Sequence, residues 1–442
     1  MFRWFYLVCC VFGGTMPLLA ERPHMVFVYA DDMGLGDVGC YGGKSAPTPN
    51  IDRLAAEGIR FTRYYSVSPI CSPSRCGLIT GQFPARWQIT SYLQTRDGNR
   101  QCEQVDFLDP RAPSLPRQLQ ASGYATAHVG KWHLGGGRDV VDPPKFVAYG
   151  YGLGLGTYES PEPAAGLGLK LAPWDKAIEP QQVPRHARTR WMVDATLAFL
   201  QQHSTQPCFV NLWLDDTHTP WVPEDALPGN PGNNLKQVII EMDRQIGRLM
   251  DHVPPNTLLI FTTDNGALPT FQGARNGGLR GSKLSLYEGG IRLPFIARWP
   301  GQIPAGRVDD STVLCAVDIF PTLTRIGEAQ LPPDYRRDGL DMTTAFQGKS
   351  LSRDQPIFWE YGRNADAFKY PEGHDRSPNL AMRDGPWKLL MNADGSAAEL
   401  YDILQDTRET QNLIDTQPEV ATRMKASLRT WRRELPIYPP KP

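Results

Sequence analysis

Four short apolar runs constrain the fold most, because each has the length of a β-strand and offers apolar side chains to both faces of a sheet. They occupy residues 25–30, 125–129, 208–214 and 257–263. Strands buried on both faces are typical of parallel sheets that carry helices on either side.

Helical patterns lie between the runs. Asn50 is predicted to cap a helix over residues 51–57 that stops at Gly58, and residues 115–121 end in the same way at Gly123. Residues 193–202 and 235–252 also have helical spacing. Strands that alternate with helices predict an α/β fold with a doubly wound, largely parallel sheet.

The pattern changes beyond about residue 331. Strand-like pieces lie at 356–361, 380–383, 387–392 and 399–402, with Asp-Gly turns between them at 384–385 and 394–395. Residues 418–435 read as a helix. We therefore predict a catalytic α/β domain over residues 21–335 and a smaller C-terminal domain, with an antiparallel sheet and a helix, over residues 336–442.

The first 20 residues have the features of an export signal. Arg3 precedes an apolar run at 5–12, and Ala20 offers a small residue at the cleavage point. The mature chain is expected to be secreted or periplasmic, without a transmembrane segment. The net charge of −1 gives no bulk electrostatic case for nucleic acid as a partner.

Six of the eight cysteines follow the signal, and their spacing selects no disulfide connectivity. No CxxC pair occurs, so a zinc site is not favoured.

Polar residues follow each of the four apolar runs. The groups are Asp31 and Asp32, then Lys131 and His133, then Asp215, Asp216 and His218, and finally Asp264 and Asn265. Because ligands bind beyond the carboxyl ends of strands in open α/β sheets, these groups predict one polar site.

The composition of this site indicates its chemistry. Asp31, Asp32 and Asp264 would repel one another without a cation, and with Asn265 they form an all-oxygen set that suits calcium, or magnesium. The cations Arg75, Lys131 and Lys283 favour a multiply charged oxyanion, which points to a sulfate or phosphate ester.

Cys71 opens a predicted helix over Cys71–Thr80 that ends at Gly81, and Arg75 lies one turn further along the same face. The segment from Cys71 to Gly81, CSPSRCGLITG, resembles the C-x-P-S-R motif of the type I sulfatase family. Other blocks resemble the same family in the same order: Asp31–Gly34, Thr48–Phe61, Gly130–Leu134, Thr217–Pro220, Thr263–Gly266, Gly281–Lys283 and Glu288–Pro294. The resemblance runs from about Pro23 to the C-terminus.

The resemblance implies an alkaline-phosphatase-like fold and a formylglycine made from Cys71 by a maturation enzyme. It implies that Asp31, Asp32, Asp264, Asn265 and position 71 surround the metal, which is Ca2+ or, as the alternative, Mg2+.

For the reaction, the resemblance implies that the hydrated aldehyde attacks sulfur while Lys131, Lys283 and His218 offset charge on the sulfate. His218 or Lys283 would protonate the leaving alcohol, His133 would take a proton from the second hydroxyl, and Arg75 would hold the diol.

Three functions stay open at this point. The first is hydrolysis of a sulfated carbohydrate or an aryl sulfate. The second is hydrolysis of a phosphoester or phosphonate monoester. The third is binding of a sulfated glycan without catalysis, if Cys71 is not matured.

The substrate pocket is the part least specified by the sequence. Some family members place a polar serine between the Lys-x-His block and the next histidine, and no equivalent stands out here. The glycine-rich stretch at 134–171 is predicted to be a long surface loop that shapes the pocket. Arg363 and His374 are candidates for contact with a sugar.

Overall fold

The computed structural model describes residues 22–164, 183–226, 229–368 and 371–438. The predicted export signal, residues 1–20, lies outside these ranges, as does the end of the glycine-rich stretch. Within them, no helix has both the length and the apolarity needed to cross a lipid bilayer.

The described strands are, in chain order, β1 (His24–Ala30), β2 (Ile59–Tyr65), β3 (Ala125–Gly130), β4 (Leu153–Gly156), β5 (Cys208–Trp213), β6 (Thr257–Thr263), β7 (Arg292–Arg298), β8 (Arg307–Asp309), β9 (Leu314–Cys315), β10 (Ile357–Glu360), β11 (Leu380–Asp384), β12 (Trp387–Met391) and β13 (Glu399–Asp402). The described α-helices are α1 (Pro49–Ala56), α2 (Cys71–Thr80), α3 (Arg96–Gln101), α4 (Leu115–Ala121), α5 (Arg188–Gln202), α6 (Pro231–His252), α7 (Glu288–Ile291), α8 (Ile319–Ile326), α9 (Thr343–Phe346) and α10 (Pro418–Arg433).

Nine of the described strands form one sheet in the order β4-β3-β5-β1-β6-β7-β2-β8, with β9 paired to β2. The four apolar runs are the neighbouring strands β3, β5, β1 and β6, which pair in parallel. Only β7, among the described strands of this sheet, runs antiparallel to its neighbours. The predicted α/β fold with a largely parallel sheet is confirmed.

The two faces of β1 explain why its sequence is apolar throughout. Met25, Phe27 and Tyr29 belong to one cluster of buried side chains, whereas Val26, Val28 and Ala30 belong to another. Residues of α2, α4 and α8 join the first cluster, and residues of α1, α5 and α6 join the second. Helices therefore cover both faces, and the carboxyl ends of the central strands meet at one edge.

The second sheet is antiparallel, in the order β10-β11-β12-β13, as predicted. Gly385 and Gly395 turn the chain between its strands with φ values of 58° and 91°, which glycine adopts without steric cost. Leu380 of β11 and Met424 of α10 belong to the cluster that also holds Met25. The small sheet, its helix and one face of the large sheet therefore share one hydrophobic core.

The predicted cap of the first helix was wrong. The helix begins at Pro49, after Thr48, because proline suits the first helical position. Asn50 lies inside the first turn, where its side-chain amide donates to Asp243 Oδ2 at 2.8 Å.

The description of residues 134–171 as a surface loop was wrong over part of its length. Residues Leu153–Gly156 form β4, which pairs in parallel with β3 at the edge of the sheet. Phe146, Tyr149 and Tyr151 are buried. The Leu-Gly alternation of β4 lacks the β-branched and aromatic residues that indicate a strand.

Candidate active site

Three ion pairs hold the polar residues together at the carboxyl edge of the large sheet. Lys131 Nζ donates to Asp31 Oδ2, Lys283 Nζ donates to Asp32 Oδ2 at 2.6 Å, and Arg75 Nη2 donates to Asp264 Oδ2 at 2.7 Å. All six side chains are buried. The structure thus brings together acids and cations that are distant in the chain.

The acids and the amide are suited to a metal ion. Oxygen atoms of Asp31, Asp32 and Asp264 lie within 4.8 Å of one another. Asn265 donates through Nδ2 to Asp32 Oδ1 at 2.7 Å, while its own Oδ1 is buried without a hydrogen-bond partner among the described residues. A buried carbonyl oxygen without a donor, beside three carboxylates, fits a hard divalent cation.

The electrostatics of the carboxylates agree with that fit. Burial and the nearby Asp31 raise the pKa of Asp264 to about 7. Burial acts in the same direction on Asp31, but Lys131, His218 and Arg75 hold the pKa of Asp31 well below its usual range. Burial makes it costly to keep all three carboxylates ionised together, and a divalent ion beside them would lower that cost.

Three residues of this region have backbones in the left-handed region. The φ values are 55° for Asp32, 54° for His133 and 74° for Leu284, the residue after Lys283. Residues other than glycine adopt this backbone conformation at a cost of order 1–3 kcal/mol, and residues that do so cluster at functional sites.

Cys71 lies at the first position of α2, facing the charged residues. Its Sγ is 3.4 Å from Lys131 Nζ and 3.6 Å from Asp31 Oδ1. Every residue of α2 is buried, and Gly81 ends the helix with φ 64° and an amide that donates to Gly77 O. Burial raises the pKa of the Cys71 thiol to about 12, although Lys131 and Lys283 act in the opposite direction. The unmodified thiol therefore stays protonated at neutral pH.

Arg75, one turn along α2, is fully buried beneath the site. Besides its ion pair, it donates through Nη1 to Lys131 O at 3.1 Å, and its guanidinium lies 5.0 Å from the ring centroid of Trp213. It therefore ties the start of α2 to the ends of β3, β5 and β6.

The two predicted histidines have different surroundings. His133 Nε2 lies 3.1 Å from Leu93 O, so this nitrogen carries the proton. His133 Nδ1 is buried and has no partner among the described residues, and burial together with Lys131 holds the His133 pKa well below its usual value. His133 is thus a neutral imidazole with one acceptor available.

His218 lies at the open side of the site. Its Nδ1 donates to Thr219 O at 2.8 Å, and its Nε2 is 3.8 Å from Asp32 Oδ2. Its side chain is 28% exposed, against 9% for Lys283 and 1% for Lys131. Burial and the two lysines lower the His218 pKa to about 4. Among these three side chains, His218 is therefore the one most open to solvent.

Tyr158 was missed by the sequence reasoning. Its ring centroid is 4.6 Å from that of His133 and 5.2 Å from Lys131 Nζ, and its hydroxyl accepts a hydrogen bond from Arg138. Tyr158 lies in the glycine-rich stretch, where no periodicity marks it.

Other candidates lie apart from the ion-paired cluster. Asp215 pairs with Arg185 and Arg188 at 3.3 and 3.2 Å, an arrangement that stabilises the end of β5. Arg363 contacts Glu360, and the exposed His374 contacts Asp375.

Comparisons with known proteins give the site a context. A family model described as Sulfatase matches residues 23–327, and one described as N-sulphoglucosamine sulphohydrolase, C-terminal, matches residues 282–434. An N-acetylgalactosamine-6-O-sulfatase of Bacteroides thetaiotaomicron is 28% identical, over 93% of each chain. Arylsulfatase A of Bos taurus is 30% identical, over 91% of this chain and 85% of the relative.

The fold has solved relatives as well. A structure solved in work on the metabolism of multiple glycosaminoglycans by Bacteroides thetaiotaomicron superposes with a TM-score of 0.77 at 25% identity. The superposition covers 94% of this chain and all of the other. The similarity therefore extends over both sheets.

Proposed function

This chain belongs to the sulfatase family, and from that membership we propose that it releases inorganic sulfate from a sulfated carbohydrate, with aryl sulfates as artificial substrates. The observation that carries the proposal is the position of Cys71, whose Sγ lies 3.4 Å from Lys131 Nζ at the start of a buried helix. The residue that the family's maturation chemistry modifies thus faces the acids and cations.

Two groups complete the proposed site. Asp31, Asp32, Asp264 and Asn265 would hold Ca2+, or Mg2+ as the alternative, which would supply positive charge next to position 71. A maturation enzyme would convert Cys71 to formylglycine, whose hydrate supplies an oxygen nucleophile and a route for sulfate release.

The side chains around position 71 have separate tasks in this proposal. Lys131 and Lys283 bind sulfate oxygens and offset the charge that develops on them. Arg75 fixes the position of Asp264 relative to position 71. His133 accepts a proton through its unpartnered Nδ1, and His218 or Lys283 delivers a proton to the leaving alcohol. The lowered pKa of His218 favours Lys283 as that donor.

The names of the relatives guide the choice of substrate. We propose a sulfated glycan that contains amino sugars, with N-acetylgalactosamine 6-sulfate as the first compound to test, because the relative named for that sugar matches 93% of this chain.

Residues 1–20 would direct the chain to the periplasm or the exterior, so the N-terminus of the mature protein is expected at Glu21.

A desulfation screen tests the proposal. The protein, co-expressed with a maturation enzyme, is incubated with sulfated mono- and oligosaccharides and an aryl sulfate, and released sulfate is measured. We expect turnover by the wild type and none by a folded Cys71→Ala variant. Full activity of Cys71→Ala would overturn the mechanism.

Mass spectrometry of the peptide that contains Cys71 tests maturation directly. Oxidation of the thiol to the aldehyde lowers the mass of this peptide by about 18 Da. An unmodified peptide from a native host, with no hydrolysis, would instead support a glycan binder.

The same screen separates sulfate from phosphate chemistry. Among the described residues, both candidate metal-holding groups contain Asp31 and so describe one centre, whereas two-metal phosphatases need a second. We expect an aryl sulfate to be hydrolysed faster than the matching aryl phosphate. A preference for phosphate by orders of magnitude would contradict the proposal.

A further inference from the structure

A second cluster of buried charges lies away from the metal ligands. Lys388 of β12 is fully buried, and its Nζ lies 2.9 Å from Glu288 Oε1 and 2.8 Å from Glu409 Oε1. Lysine is almost never fully buried unless it is paired. No step of the proposed reaction uses these three side chains.

The cluster is connected to its surroundings on both sides. Glu288 Oε2 accepts from the hydroxyl of Tyr65 on β2 at 2.7 Å, and Glu288 N donates to Glu409 Oε2 at 2.7 Å. Lys388 thus joins the small sheet to the large sheet through the first residue of α7. Buried ion pairs are a weak source of stability compared with apolar packing, which favours a role in fixing geometry.

The residues after Glu288 transmit its position to the active site through backbone contacts. Gly266 follows the metal-ligand candidate Asn265, and its amide donates to Gly290 O at 2.9 Å. A Cβ added to Gly266 would lie 2.1 Å from Gly289 O, and one added to Gly290 would lie 1.9 Å from Ser285 O. Only glycines allow these backbone segments to approach each other so closely.

We define residues 280–290 as the Lys283 segment. Its amides are held by loop residues outside the segment: Lys283 N donates to Ala267 O at 2.8 Å, Leu284 N to Pro69 O at 2.8 Å and Leu286 N to Ser377 Oγ at 2.9 Å. Leu284 has a φ of 74°. A segment in this conformation needs contacts at both ends, and the cluster around Lys388 supplies those at its C-terminal end.

We propose that Lys388 is a positioning residue for sulfate ester hydrolysis. It holds Glu288, and through Gly289 and Gly290 of α7 it fixes the Lys283 segment so that the Lys283 ammonium stays beside Asp32. The catalytic part of this inference rests on the proposed function. The small sheet therefore acts on the reaction through Glu288 and the Lys283 segment.

Hydrogen exchange tests the structural part without any substrate. In Lys388→Met we expect faster amide exchange in a peptide covering residues 279–291 than in the wild type. Arg423→Met is the matched control, because Arg423 is an exposed cation of α10 that pairs with Asp384 at the end of β11. Unchanged exchange in Lys388→Met would overturn the proposal.

A double-mutant cycle tests the catalytic part. Lys388→Met should lower kcat toward an aryl sulfate by about 10-fold in the wild-type background, and by less than about 2-fold in a Lys283→Ala background, because residues that act through one another are not additive. Equal losses in both backgrounds would overturn the assigned role.

Two further outcomes remain decisive. If Lys388→Met does not fold, Glu409→Gln takes its place, because it removes one of the two carboxylates that pair with Lys388. Faster exchange in residues 279–291 with a lower kcat supports the proposal, and unchanged exchange contradicts it. If the wild type hydrolyses no sulfate ester, the proposed function fails, while hydrogen exchange still decides whether Lys388 fixes the segment.

Discussion

The two ring nitrogens of His133 have different surroundings. Nε2 is bound to Leu93 O, and Nδ1 is buried without a partner among the described residues. A buried polar atom without a partner costs about 1–3 kcal/mol, so its retention suggests a use during turnover.

Replacement of His133 by Ala should lower kcat by roughly 10²–10⁴-fold, because a positioned general base contributes on that order. Steady-state kinetics on an aryl sulfate provide the measurement, with His252→Ala, at the exposed end of α6, as the control. A loss of less than about 3-fold would contradict the assignment of His133 as a base.

Glu409 makes stability depend on pH. Burial, with an added contribution from Glu288, raises its pKa from 4.5 to about 7, although Lys388 opposes the shift. The folded state therefore holds this proton more tightly than the unfolded chain. The resulting stabilisation is complete below about pH 4.5 and is lost as pH rises through about 7.

Glu409→Gln should remove this dependence. Relative to the variant, the wild type should lose about 2 kcal/mol of unfolding free energy between pH 5 and pH 8, from about 1.4 kcal/mol per unit of pKa shift. Denaturant unfolding at both pH values provides the measurement, with the exposed Glu434→Gln as the control. Parallel pH profiles for wild type and Glu409→Gln would contradict it.

At the scale of elements, α2 positions Cys71, its first residue, and ends at Gly81 in a tightly packed turn. A Cβ on Gly81 would lie 2.2 Å from Tyr335 Oη and 2.4 Å from Phe320 Cβ, at a φ of 64°. The end of α2 cannot accept a side chain unless the helix moves.

Gly81→Ala should therefore cost more than about 2 kcal/mol, since it adds a steric clash to left-handed strain of about 1 kcal/mol. Gly42→Ala is the matched control, because Gly42 has a φ of 85° and nothing within 4 Å of an added Cβ. Denaturant midpoints of the two variants provide the measurement. Equal destabilisation of both would show that packing at Gly81 is not limiting.

Elements with clear signals in the sequence were predicted well. α2 was predicted over its full length because glycine marks its stop, and β6 because its Leu-Leu-Ile-Phe run is flanked by β-branched threonines. β2 was missed because its arginines at positions 60 and 63 interrupt the pattern, and β4 because half of its residues are glycine.

The site also contains residues that the sequence pattern marks and one that it does not mark. Asp31, Lys131 and Asp264 were found because residues that follow neighbouring parallel strands meet at one edge. Tyr158 was missed because it reaches His133 from a segment without periodicity, so its contact depends on tertiary packing alone. The assigned roles of all these residues remain predictions.

At the scale of the whole molecule, a bound metal should add stability. Calcium that binds only the folded chain should raise the unfolding free energy by about 2.7 kcal/mol at a free concentration 100 times its dissociation constant. Thermal unfolding with a chelator, and again with excess calcium, provides the measurement. Asn265→Ala should need more calcium for the same gain, and a chelator that changes neither stability nor activity would contradict the metal site.

The shared core limits how the chain can be divided. Met25 of β1 and Leu380 of β11 belong to one cluster of buried side chains, so separating the sheets would expose apolar surface on both. The division into residues 21–335 and 336–442 remains a prediction about the chain, and we expect neither part to be stable alone.

The cysteines outside the active site have a practical consequence. Cys40, Cys76, Cys208 and Cys315 carry free thiols, and the last three are buried. These positions contribute to the fold through packing rather than through covalent cross-links. A reductant therefore does not reduce their contribution to stability. Production in the reducing cytoplasm of an expression host is therefore compatible with these four sites, and oxidative refolding offers them no advantage.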